Sequence, residues 1–495
     1  MGEPELGARE REVLRARRES LERLRAVGVE PFAFGFEPSH TTGDVRERHR
    51  GLAPGTETDD EVVLAGRVVL ARRFRRLVFL TLRDRTGDLQ LFCEEDTMDP
   101  GSFSLLAEVD LGDIVGAEGR VMTTRTGELS IRVRRLTMLS KALRPLPEKW
   151  HGLKDPDLQQ RHRYLQLATD LEARQVVEAR AKTLRAFRRV LDERGFVEVE
   201  TPVLHPSAGG AIARPFVTHH RALDVDLYLR IALELYLKRL LVGGLERVFE
   251  IGRTFRNEGI GPKYNPEFTM LELYEAYGDY FSMMEIGQAL IQGAAIEVRG
   301  STRQEYQGRE LDLGGEWPRT PMLELVSEAT GEEVTLDRGD LGRIASRHGV
   351  DVHPTWGPGK QALELYEKLV EGQLWAPIWV MDLPREVSPL ARPHRSAPGL
   401  VEHADLVIAG MEIIPAYSEL SDPDEQRRSF EIQREAREQG EEETHPMDED
   451  FLLALEQGMP PAGGLGLGVD RLLMILANAS SIRDVILFPH HRPQA

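Results

Sequence analysis

The 495-residue sequence contains a single cysteine, Cys93, and this scarcity excludes two kinds of architecture. One thiol cannot form an internal disulfide, and it cannot build the paired-cysteine zinc sites of small metal-stabilised domains. A reducing compartment therefore suits the chain. Cys93 lies in the apolar run LQLFC, which predicts that it is a core residue.

The sequence also lacks a long apolar run and an excess of positive charge. No stretch of about 18 apolar residues is present to span a bilayer, and the N-terminal segment is charged where a signal peptide has an apolar core. We therefore expect a cytoplasmic protein with no membrane partner. The net charge of −19 argues against a protein that coats nucleic acid without selectivity. The segment RVVLARRFRR (67–76) is a basic exception that either meets phosphates or faces solvent.

The chain divides into regions of different periodicity. Residues 1–60 include an amphipathic helix and form the predicted N-terminal helical extension. Residues 61–141 contain five short β-rich runs, a pattern typical of an OB-fold barrel that binds oligonucleotides or docks a protein. A proline-containing linker is predicted at 142–169. Residues 170–495 mix long helices with strands and form a second, larger domain, with a helical insertion near 300–375.

The segment FRNEGIGPKYNPEFTMLELY (255–274) predicts an antiparallel hairpin with a Gly-Pro turn. Side chains two positions apart on a strand share one face. On the returning strand these are Phe268, Met270, Glu272 and Tyr274; on the first strand they are Arg256 and Glu258. A guanidinium, carboxylates and rings gathered over one patch of sheet either face water or meet a charged ligand.

Two further segments carry comparable chemistry. GGLGLGVDRLLMIL (463–476) is a glycine-rich strand that runs into an apolar helix, and bare glycines allow either a flat ligand or a packed neighbour to approach closely. It lacks the dinucleotide-binding and Walker A patterns. DLVIAGMEIIPAYSELSDP (405–423) carries Asp405, Glu412 and Glu419 around a strand. Such carboxylates hold magnesium beside phosphates, bind a cationic substrate, or form a polar sheet face.

Together these segments resemble the signature motifs of class II aminoacyl-tRNA synthetases. GFVEVETPVL (195–204) is similar to motif 1, FRNEG through EF to motif 2, and GLGLGVDR to motif 3. Other segments resemble the lysyl-tRNA synthetase family in particular: ARPFVTHH, DLYLRIALELYLKRL, NPEFTMLELYEAY, EVSPLAR and SIRDVILFP. Their order and spacing agree with that family from about residue 10 to 493.

The resemblance implies an α+β fold with two parts. The first is an N-terminal OB-fold β-barrel that binds the anticodon, and the second is a class II synthetase domain with a six-stranded antiparallel β-sheet flanked by helices. The implied function is ATP-dependent activation of lysine to lysyl-adenylate, followed by transfer to the 3′ end of tRNA(Lys). ATP, Mg²⁺, lysine and tRNA(Lys) are the implied cofactors and partners, and a homodimer through motif 1 is the implied assembly.

The same resemblance assigns roles to individual positions. The implied catalytic residues are Arg256 and Arg471. The implied ATP-binding residues are Arg256, Glu258, Asn265, Phe268, Glu412 and Arg471. The implied lysine-binding residues are Gly210, Glu234, Glu272, Tyr274, Tyr417 and Glu419. Asp405 and Glu412 are the implied magnesium ligands. In the barrel, the implied anticodon-binding residues are Arg72, Phe79, Gln90 and Glu128.

Four positions depart from the family pattern. Tyr264 stands in place of a histidine beside ATP, Asp405 in place of a glutamate, Leu233 in place of a proline, and Pro415 in place of an asparagine. Proline offers neither a side-chain hydrogen bond nor a backbone donor, and losing one such bond costs about 1 to 3 kcal/mol. Two alternative functions stay open: a specialised paralogue that passes activated lysine or an analogue to a non-tRNA acceptor, and a catalytically weakened tRNA-binding protein.

Overall fold

The computed structural model describes residues 8–146, 155–207, 209–353, 356–438 and 446–492. The chain forms two compact units, Met1–Leu171 and Glu172–Ala495. Residues 147–154 of the predicted linker and residues 354–355 of the predicted insertion lie outside the described residues. Among the residues that are described, no helix combines the length and apolarity needed to cross a membrane.

The first unit is built on a closed five-stranded barrel with strand order β1-β2-β3-β5-β4. Strands β3 and β5 pair in parallel, and the other neighbours are antiparallel. The strands are β1 (Glu57–Arg73), β2 (Leu77–Arg83), β3 (Asp88–Glu94), β4 (Ile114–Thr123) and β5 (Leu129–Ser140). The helices are α1 (Ala8–Ala26), α2 (Thr42–Arg48), α3 (Pro100–Leu105), α4 (Pro156–Arg161) and α5 (Arg163–Thr169). This barrel confirms the OB-fold expectation.

Alternation along the strands fills the barrel. In β2, Val78, Leu80 and Leu82 are buried while the intervening residues are more exposed. Cys93 on β3 is fully buried in the same core, as predicted, and Leu24 of α1 packs against it. Because period-2 side chains point to opposite faces, the alternate residues of the same strands remain available on the outer surface.

The second unit holds the larger sheet and most of the helices. The helices are α6 (Leu171–Asp192), α7 (Glu234–Val242), α8 (Tyr280–Arg299), α9 (Met322–Thr330), α10 (Leu341–Arg347), α11 (Pro358–Leu369), α12 (Pro423–Glu438), α13 (Glu449–Glu456), α14 (Val469–Leu476) and α15 (Ile482–Val485). The strands are β6 (Val197–Glu198), β7 (Leu204–His205), β8 (Val217–His220), β9 (Val225–Leu229), β10 (Arg247–Phe255), β11 (Glu267–Ala276), β12 (Arg303–Tyr306), β13 (Arg309–Asp312), β14 (Arg319–Pro321), β15 (Ile378–Met381), β16 (His403–Ile408), β17 (Met411–Ser418) and β18 (Ala462–Gly468).

The main sheet has the strand order β14-β15-β16-β17-β18-β11-β10-β6. Its six central strands, β15 to β10 in that order, are antiparallel, as the family resemblance implies. Two short strands, β14 and β6, add parallel pairs at the edges. A three-stranded sheet, β7-β9-β8, and the hairpin β12-β13 lie apart from it.

Helix α8 covers one face of the main sheet. Its N-terminus is capped by Asp279, whose side chain accepts from the backbone N–H groups of Phe281 and Ser282, and its end falls at Gly300 in a left-handed conformation. The buried face of α8 shares a core with Leu271 and Leu273 of β11. The alternate residues of β11 therefore point to the other face, where the site lies.

The hairpin β10-β11 is antiparallel as predicted, but its first strand is shorter than expected. β10 ends at Phe255, so Arg256 and Glu258 lie in the connecting segment, and the expectation that they share a strand face is wrong. The backbone N–H of Arg256 still donates to Pro266 O over 2.8 Å. This bond extends the pairing by one step and anchors Arg256 beside the start of β11.

Candidate active site

Two adjoining cavities lie on the open face of the main sheet. The first is lined by all six residues predicted to bind ATP: Arg256, Glu258, Asn265, Phe268, Glu412 and Arg471. The second is lined by all six residues predicted to bind lysine: Gly210, Glu234, Glu272, Tyr274, Tyr417 and Glu419. The residues common to both linings are Arg256, Met270, Glu412 and Pro415. The fold thus brings each predicted set together, and Arg256 lies where the two cavities meet.

The glycine-rich strand β18 makes room for these side chains. Glu272 and Tyr274 of β11 pair with Gly466 and Gly464 of β18. A Cβ atom at Gly464 would overlap Glu419 Oε1 and would lie 2.5 Å from Cε1 of Tyr274. The side chains of the second cavity therefore require glycine at position 464. The backbone of β18, which carries no side chain at this position, lies directly against them.

Cationic side chains and rings dominate the first cavity. The Arg256 guanidinium lies 5.2 Å from the centre of the Phe268 ring, and that of Arg471 lies 5.5 Å from the Tyr264 ring. Arg471 Nη1 donates to Glu412 O over 2.8 Å, which fixes its direction. Burial lowers the pKa of Arg256, but an arginine stays charged at neutral pH. The cavity combines flat rings with two permanent positive charges.

Asn265 presents an open acceptor in the same cavity. Its Nδ2 donates to Glu267 O over 2.5 Å. Its Oδ1 is buried and has no hydrogen-bond partner among the described residues. A buried acceptor without a partner is costly, so a ligand that donates here would be favoured.

Buried carboxylates dominate the second cavity. Burial raises the pKa of Glu272 to about 8, with a hydrogen bond from the backbone N–H of Leu233 acting in the opposite direction. Burial raises the pKa of Glu419 to about 7, against the charge of Lys238. Tyr274 Oη donates to Glu272 Oε2 over 3.3 Å. A bound cation would hold these carboxylates in the ionised form.

The loop that contains Gly210 comes close to the same carboxylates. Gly210 has a φ of 89°, in the left-handed region, and a Cβ there would lie 3.3 Å from Cβ of Glu234. Both the backbone conformation and the close approach require glycine. The loop therefore closes the edge of the second cavity beside Glu234.

Two features of this cavity were not predicted from the sequence. Lys238 is fully buried, and its Nζ contacts Glu234 Oε1 at 2.6 Å and Glu419 Oε2 at 2.5 Å. The four-residue spacing from Glu234 to Lys238 on α7 was the available signal. The Leu233 N–H donates to Glu272 Oε1 over 3.0 Å, and as a backbone contact it has no signature in residue types.

Asp405 and Glu412 lie on the neighbouring strands β16 and β17; Glu412 lines both cavities and Asp405 lines neither. Asp405 Oδ1 is bonded to His403 Nε2 at 2.9 Å, and burial together with the charge of Asp405 raises the pKa of Glu412. Within the described ranges, no cluster of three or more metal-ligating side chains occurs. Two close carboxylates nevertheless fit Mg²⁺, which is commonly held by one or two carboxylates plus substrate phosphates.

A buried network that the sequence did not reveal supports the first cavity. Asp470 Oδ2 accepts from the Thr269 backbone N–H over 2.6 Å, next to Phe268. Asp470 Oδ1 pairs with Arg180 of α6, and Arg180 Nη2 donates to Val485 O over 3.0 Å. These bonds tie the start of α14 to β11, so they fix Phe268 and Arg471 relative to each other.

The barrel carries the predicted anticodon set on one patch. A third cavity is lined by all four residues, Arg72, Phe79, Gln90 and Glu128, and also by Phe74. The Arg72 guanidinium lies 5.4 Å from the Phe79 ring centre and donates to Gln90 Oε1 over 2.8 Å. Gln90 Nε2 donates to Ser130 Oγ over 2.9 Å, so both ends of this amide are engaged. Phe74, with 61 % of its surface exposed, adds a second ring that the sequence prediction omitted.

Two of the four departures from the family pattern, Tyr264 and Pro415, line the cavities themselves. Pro415 lines both cavities and pairs with Asp405 across β16 and β17. Its ring contributes an apolar surface near Gly466, where a Cβ would lie 3.7 Å from Pro415 Cγ. Tyr264 lines the first cavity beneath the Arg471 guanidinium. Pro415 and Tyr264 thus line the cavities, but their side chains differ chemically from the asparagine and histidine of the family pattern.

Comparison with known proteins agrees with this geometry. Residues 155–492 match the family model described as tRNA synthetases class II (D, K and N), and residues 62–139 match that of the OB-fold nucleic acid binding domain. A lysine–tRNA ligase of Moorella thermoacetica is 51 % identical over 98 % of this chain and 99 % of its own length. One of Synechococcus sp. is 48 % identical over 98 % and 99 %. One of Pelotomaculum thermopropionicum is 47 % identical over 98 % and 95 %. The chain belongs to the lysine–tRNA ligase family of the class II tRNA synthetases.

Proposed function

We propose that this protein activates lysine with ATP to form lysyl-adenylate and then transfers the lysyl group to the 3′ end of tRNA(Lys). The observation that carries the proposal is the junction of the two cavities at Arg256. One cavity offers positive charge and rings, as a nucleoside triphosphate requires. The other offers buried carboxylates, as a diamino acid requires. The reacting carboxylate and phosphate would meet at the shared guanidinium.

The first cavity suits ATP through its rings and charges. Phe268 provides a face on which adenine stacks, and stacking of a base on an aromatic ring contributes about 1 to 3 kcal/mol. Asn265 Oδ1 can accept from the adenine amino group. Arg471, fixed by its bond to Glu412 O, completes the adenine or phosphate contact. Glu258 lines the same cavity and adds an acceptor for ATP.

The second cavity suits an amino acid with an ammonium side chain. Glu234, Glu272 and Glu419 surround the space, with Tyr274 and Tyr417 between them. A side chain without charge would leave these three carboxylates without the second positive charge that an ammonium group supplies in addition to Lys238. Breaking a buried ion pair costs about 3 to 5 kcal/mol, so neutral analogues of lysine are rejected by roughly two to four orders of magnitude.

The first chemical step requires alignment and not a general base. Lysine's carboxylate is ionised at neutral pH, so one of its oxygens attacks the α-phosphorus directly while the bond to the pyrophosphate oxygen breaks. Negative charge develops on the phosphoryl oxygens, and Arg256 and Arg471 neutralise it. In the second step a terminal ribose hydroxyl of tRNA attacks the lysyl carbonyl, loses its proton, and AMP departs.

Magnesium would be held by Asp405 and Glu412. When bound, Mg²⁺ would screen the phosphate charges and stabilise the leaving pyrophosphate. The raised pKa of Glu412, caused by burial and by the neighbouring Asp405, is consistent with a pair of carboxylates that gains from a cation. The replacement of a glutamate by Asp405 keeps an oxygen ligand at this position.

We further propose that the protein is a homodimer in the cytoplasm. A homodimer is supported by a concentration of exposed apolar side chains on and around strands β6 to β9, namely Val197, Val203, Leu204, Val217 and Val225. Light scattering should give twice the chain mass; the mass of a single chain at micromolar concentration would contradict the dimer. The cytoplasm is the proposed location because the tRNA substrate resides there.

The decisive experiment is ATP/pyrophosphate exchange with each amino acid in turn, followed by charging of tRNA with the one that responds. Lysine-dependent exchange with lysine attached to tRNA(Lys) is expected. Exchange without charging would favour the non-tRNA acceptor, and tRNA binding without exchange would favour the weakened tRNA-binding protein. Nothing in the comparisons supports either alternative.

A further inference from the structure

Lys238 is a fully buried lysine that contacts two carboxylates lining the cavity that is proposed to bind lysine. Its Nζ atom bridges Glu234 Oε1 and Glu419 Oε2, at 2.6 and 2.5 Å. The side chain of Lys238 has no solvent exposure, and that of Glu419 has 2 %. A buried ion pair of this kind is retained only where geometry and charge are matched.

Lys238 approaches each carboxylate through one of its two oxygens, Oε1 of Glu234 and Oε2 of Glu419. The other oxygen of Glu419, Oε1, lies against the bare backbone of Gly464. The bridge therefore fixes the rotation of both carboxylates. It also leaves acceptor capacity for a second ammonium group.

The charges of the carboxylates also indicate that Lys238 has a role in the amino-acid site. Without Lys238, the partly buried Glu234 and the buried Glu419 would be two like charges in one cavity, with the buried Glu272 as a third. Close buried carboxylates do not all ionise; one takes up a proton. A protonated carboxyl group no longer attracts an ammonium ion, so a site of carboxylates alone would lose its specificity for a cation.

We propose that Lys238 is a built-in counter-ion, which orients Glu234 and Glu419 and balances their charge so that the cavity accepts the ammonium group of the amino-acid substrate. Lys238 is thus a positioning residue for specificity and does not itself contact the reacting atoms. This inference rests on the proposed function, because it concerns the same amino-acid site.

The expected pH dependence follows from the groups that face Glu419. They are Glu234 and Lys238 on α7, Glu272 and Tyr274 on β11, Tyr417 on β17, and His403 on β16. Burial raises the pKa of Glu419, and the charge and hydrogen bond of Lys238 oppose that rise. Removing Lys238 would therefore move this pKa upward. Lysine binding, which needs the ionised form, would then require a higher pH.

The test is Lys238→Met, which is one heavy atom shorter and removes the charge, compared with Lys238→Arg, which keeps the charge. The lysine KM in ATP/pyrophosphate exchange is measured from pH 6 to 10 for both variants and for the unmodified chain. Lys238→Met should raise the lysine KM at neutral pH by roughly tenfold or more, and its pH curve should move about one unit upward. The ATP KM should change little. Lys238→Arg should keep the original position of the pH curve.

Thermal unfolding with ATP alone shows whether each variant is folded, since ATP occupies the other cavity. An unshifted Lys238→Met curve in a folded protein would overturn the inference. If Lys238→Met does not fold, Lys238→Arg decides, and a displaced curve in that variant would overturn it. Absence of lysine-dependent exchange in the unmodified chain would instead overturn the proposed function, and this inference with it.

Discussion

The backbone N–H of Leu233 is an unusual contributor to the amino-acid site. It donates to Glu272 Oε1 over 3.0 Å, inside a region where Glu272 is 3 % exposed. A hydrogen bond to a carboxylate favours its ionised form, and this bond opposes the effect of burial, which raises the pKa of Glu272 to about 8. The family pattern has proline here, which has no N–H to donate. Leu233 therefore supplies a contact to Glu272 that a proline at this position could not make.

Leu233→Pro should raise the lysine KM at neutral pH by roughly tenfold, because a hydrogen bond to a charged group contributes about 1.5 to 3 kcal/mol. The effect should shrink only when the pH exceeds the pKa that Glu272 has without the bond, and that pKa lies above 8 because the bond lowers it. Leu233→Val is the matched control, since it also removes side-chain volume but keeps the N–H. Exchange kinetics across this pH range decide the matter; identical lysine KM values for the two variants would refute the role of the bond.

Individual site residues were predictable where a family motif specifies a side chain. All twelve positions that the family resemblance assigned to ATP and lysine binding line the two cavities, whereas strand alternation alone left a solvated sheet face equally open. Lys238 was missed because a lysine four residues after a glutamate is usually an exposed helix pair. The Leu233 contact was missed because a backbone donor has no residue-type signature.

Strand β18 contributes to the amino-acid site because its glycines have no side chains. The glycine at 464 leaves space that Glu419 Oε1 and the Tyr274 ring occupy. A methyl group there cannot be accommodated by small shifts, since it meets both side chains at once. The strand is central in the sheet, between β17 and β11, so its backbone cannot retreat without breaking both ladders.

Gly464→Ala should lower kcat/KM for lysine by about a hundredfold or more, because displacing Glu419 removes a charged contact inside the site. Gly339→Ala is the control, since a Cβ there meets nothing within 4 Å. Circular dichroism should show that both variants are folded. Full lysine-dependent exchange in Gly464→Ala would mean that Glu419 is not held where the structure places it.

Strands were predictable from the sequence when they were long and showed a clear alternation of apolar and polar residues. The β10-β11 hairpin followed from period-2 patterning, although β10 ends at Phe255, one residue before the arginine. Edge strands β6 and β14 have two and three residues and too short a pattern to recognise. Their pairing depends on neighbours distant in the chain. The six-stranded core of the sheet was implied by the family resemblance, not by alternation alone.

The two units of the chain carry different parts of the proposed function: tRNA binding in the barrel and lysine activation in the larger unit. The barrel presents Arg72, Phe79, Gln90 and Glu128 on one patch, and the larger unit holds both cavities. Activation of lysine requires only the second set. Charging requires tRNA to be bound as well, so the two activities should be separable by mutation.

Phe79→Ala should raise the tRNA KM in charging by roughly tenfold, because stacking of one base on a ring contributes about 1 to 3 kcal/mol. Exchange in the absence of tRNA should be unaffected. Phe34→Ala, at a fully exposed ring outside the barrel cavity, should change neither activity. An unchanged tRNA KM in Phe79→Ala would remove this ring from the proposed anticodon contact.

Ion pairs and hydrogen bonds between residues far apart in the chain could not be predicted from the sequence. Asp470 and Arg180 are 290 positions apart and meet beneath the first cavity. Neither residue type nor local spacing indicates that they pair, because the contact exists only after α6, α14 and β11 have packed together. The family resemblance supplied the arrangement of motifs, but it did not supply the bonds that hold the motifs in register.

The most direct test of the central claim compares two variants, Glu419→Gln and Phe268→Ala, in ATP/pyrophosphate exchange. The lysine KM and the ATP KM are measured for each. Glu419→Gln should raise the lysine KM by about a hundredfold and leave the ATP KM nearly unchanged. Phe268→Ala should raise the ATP KM by roughly tenfold and leave the lysine KM nearly unchanged. Equal effects of either variant on both constants would contradict two adjoining cavities, one for each substrate.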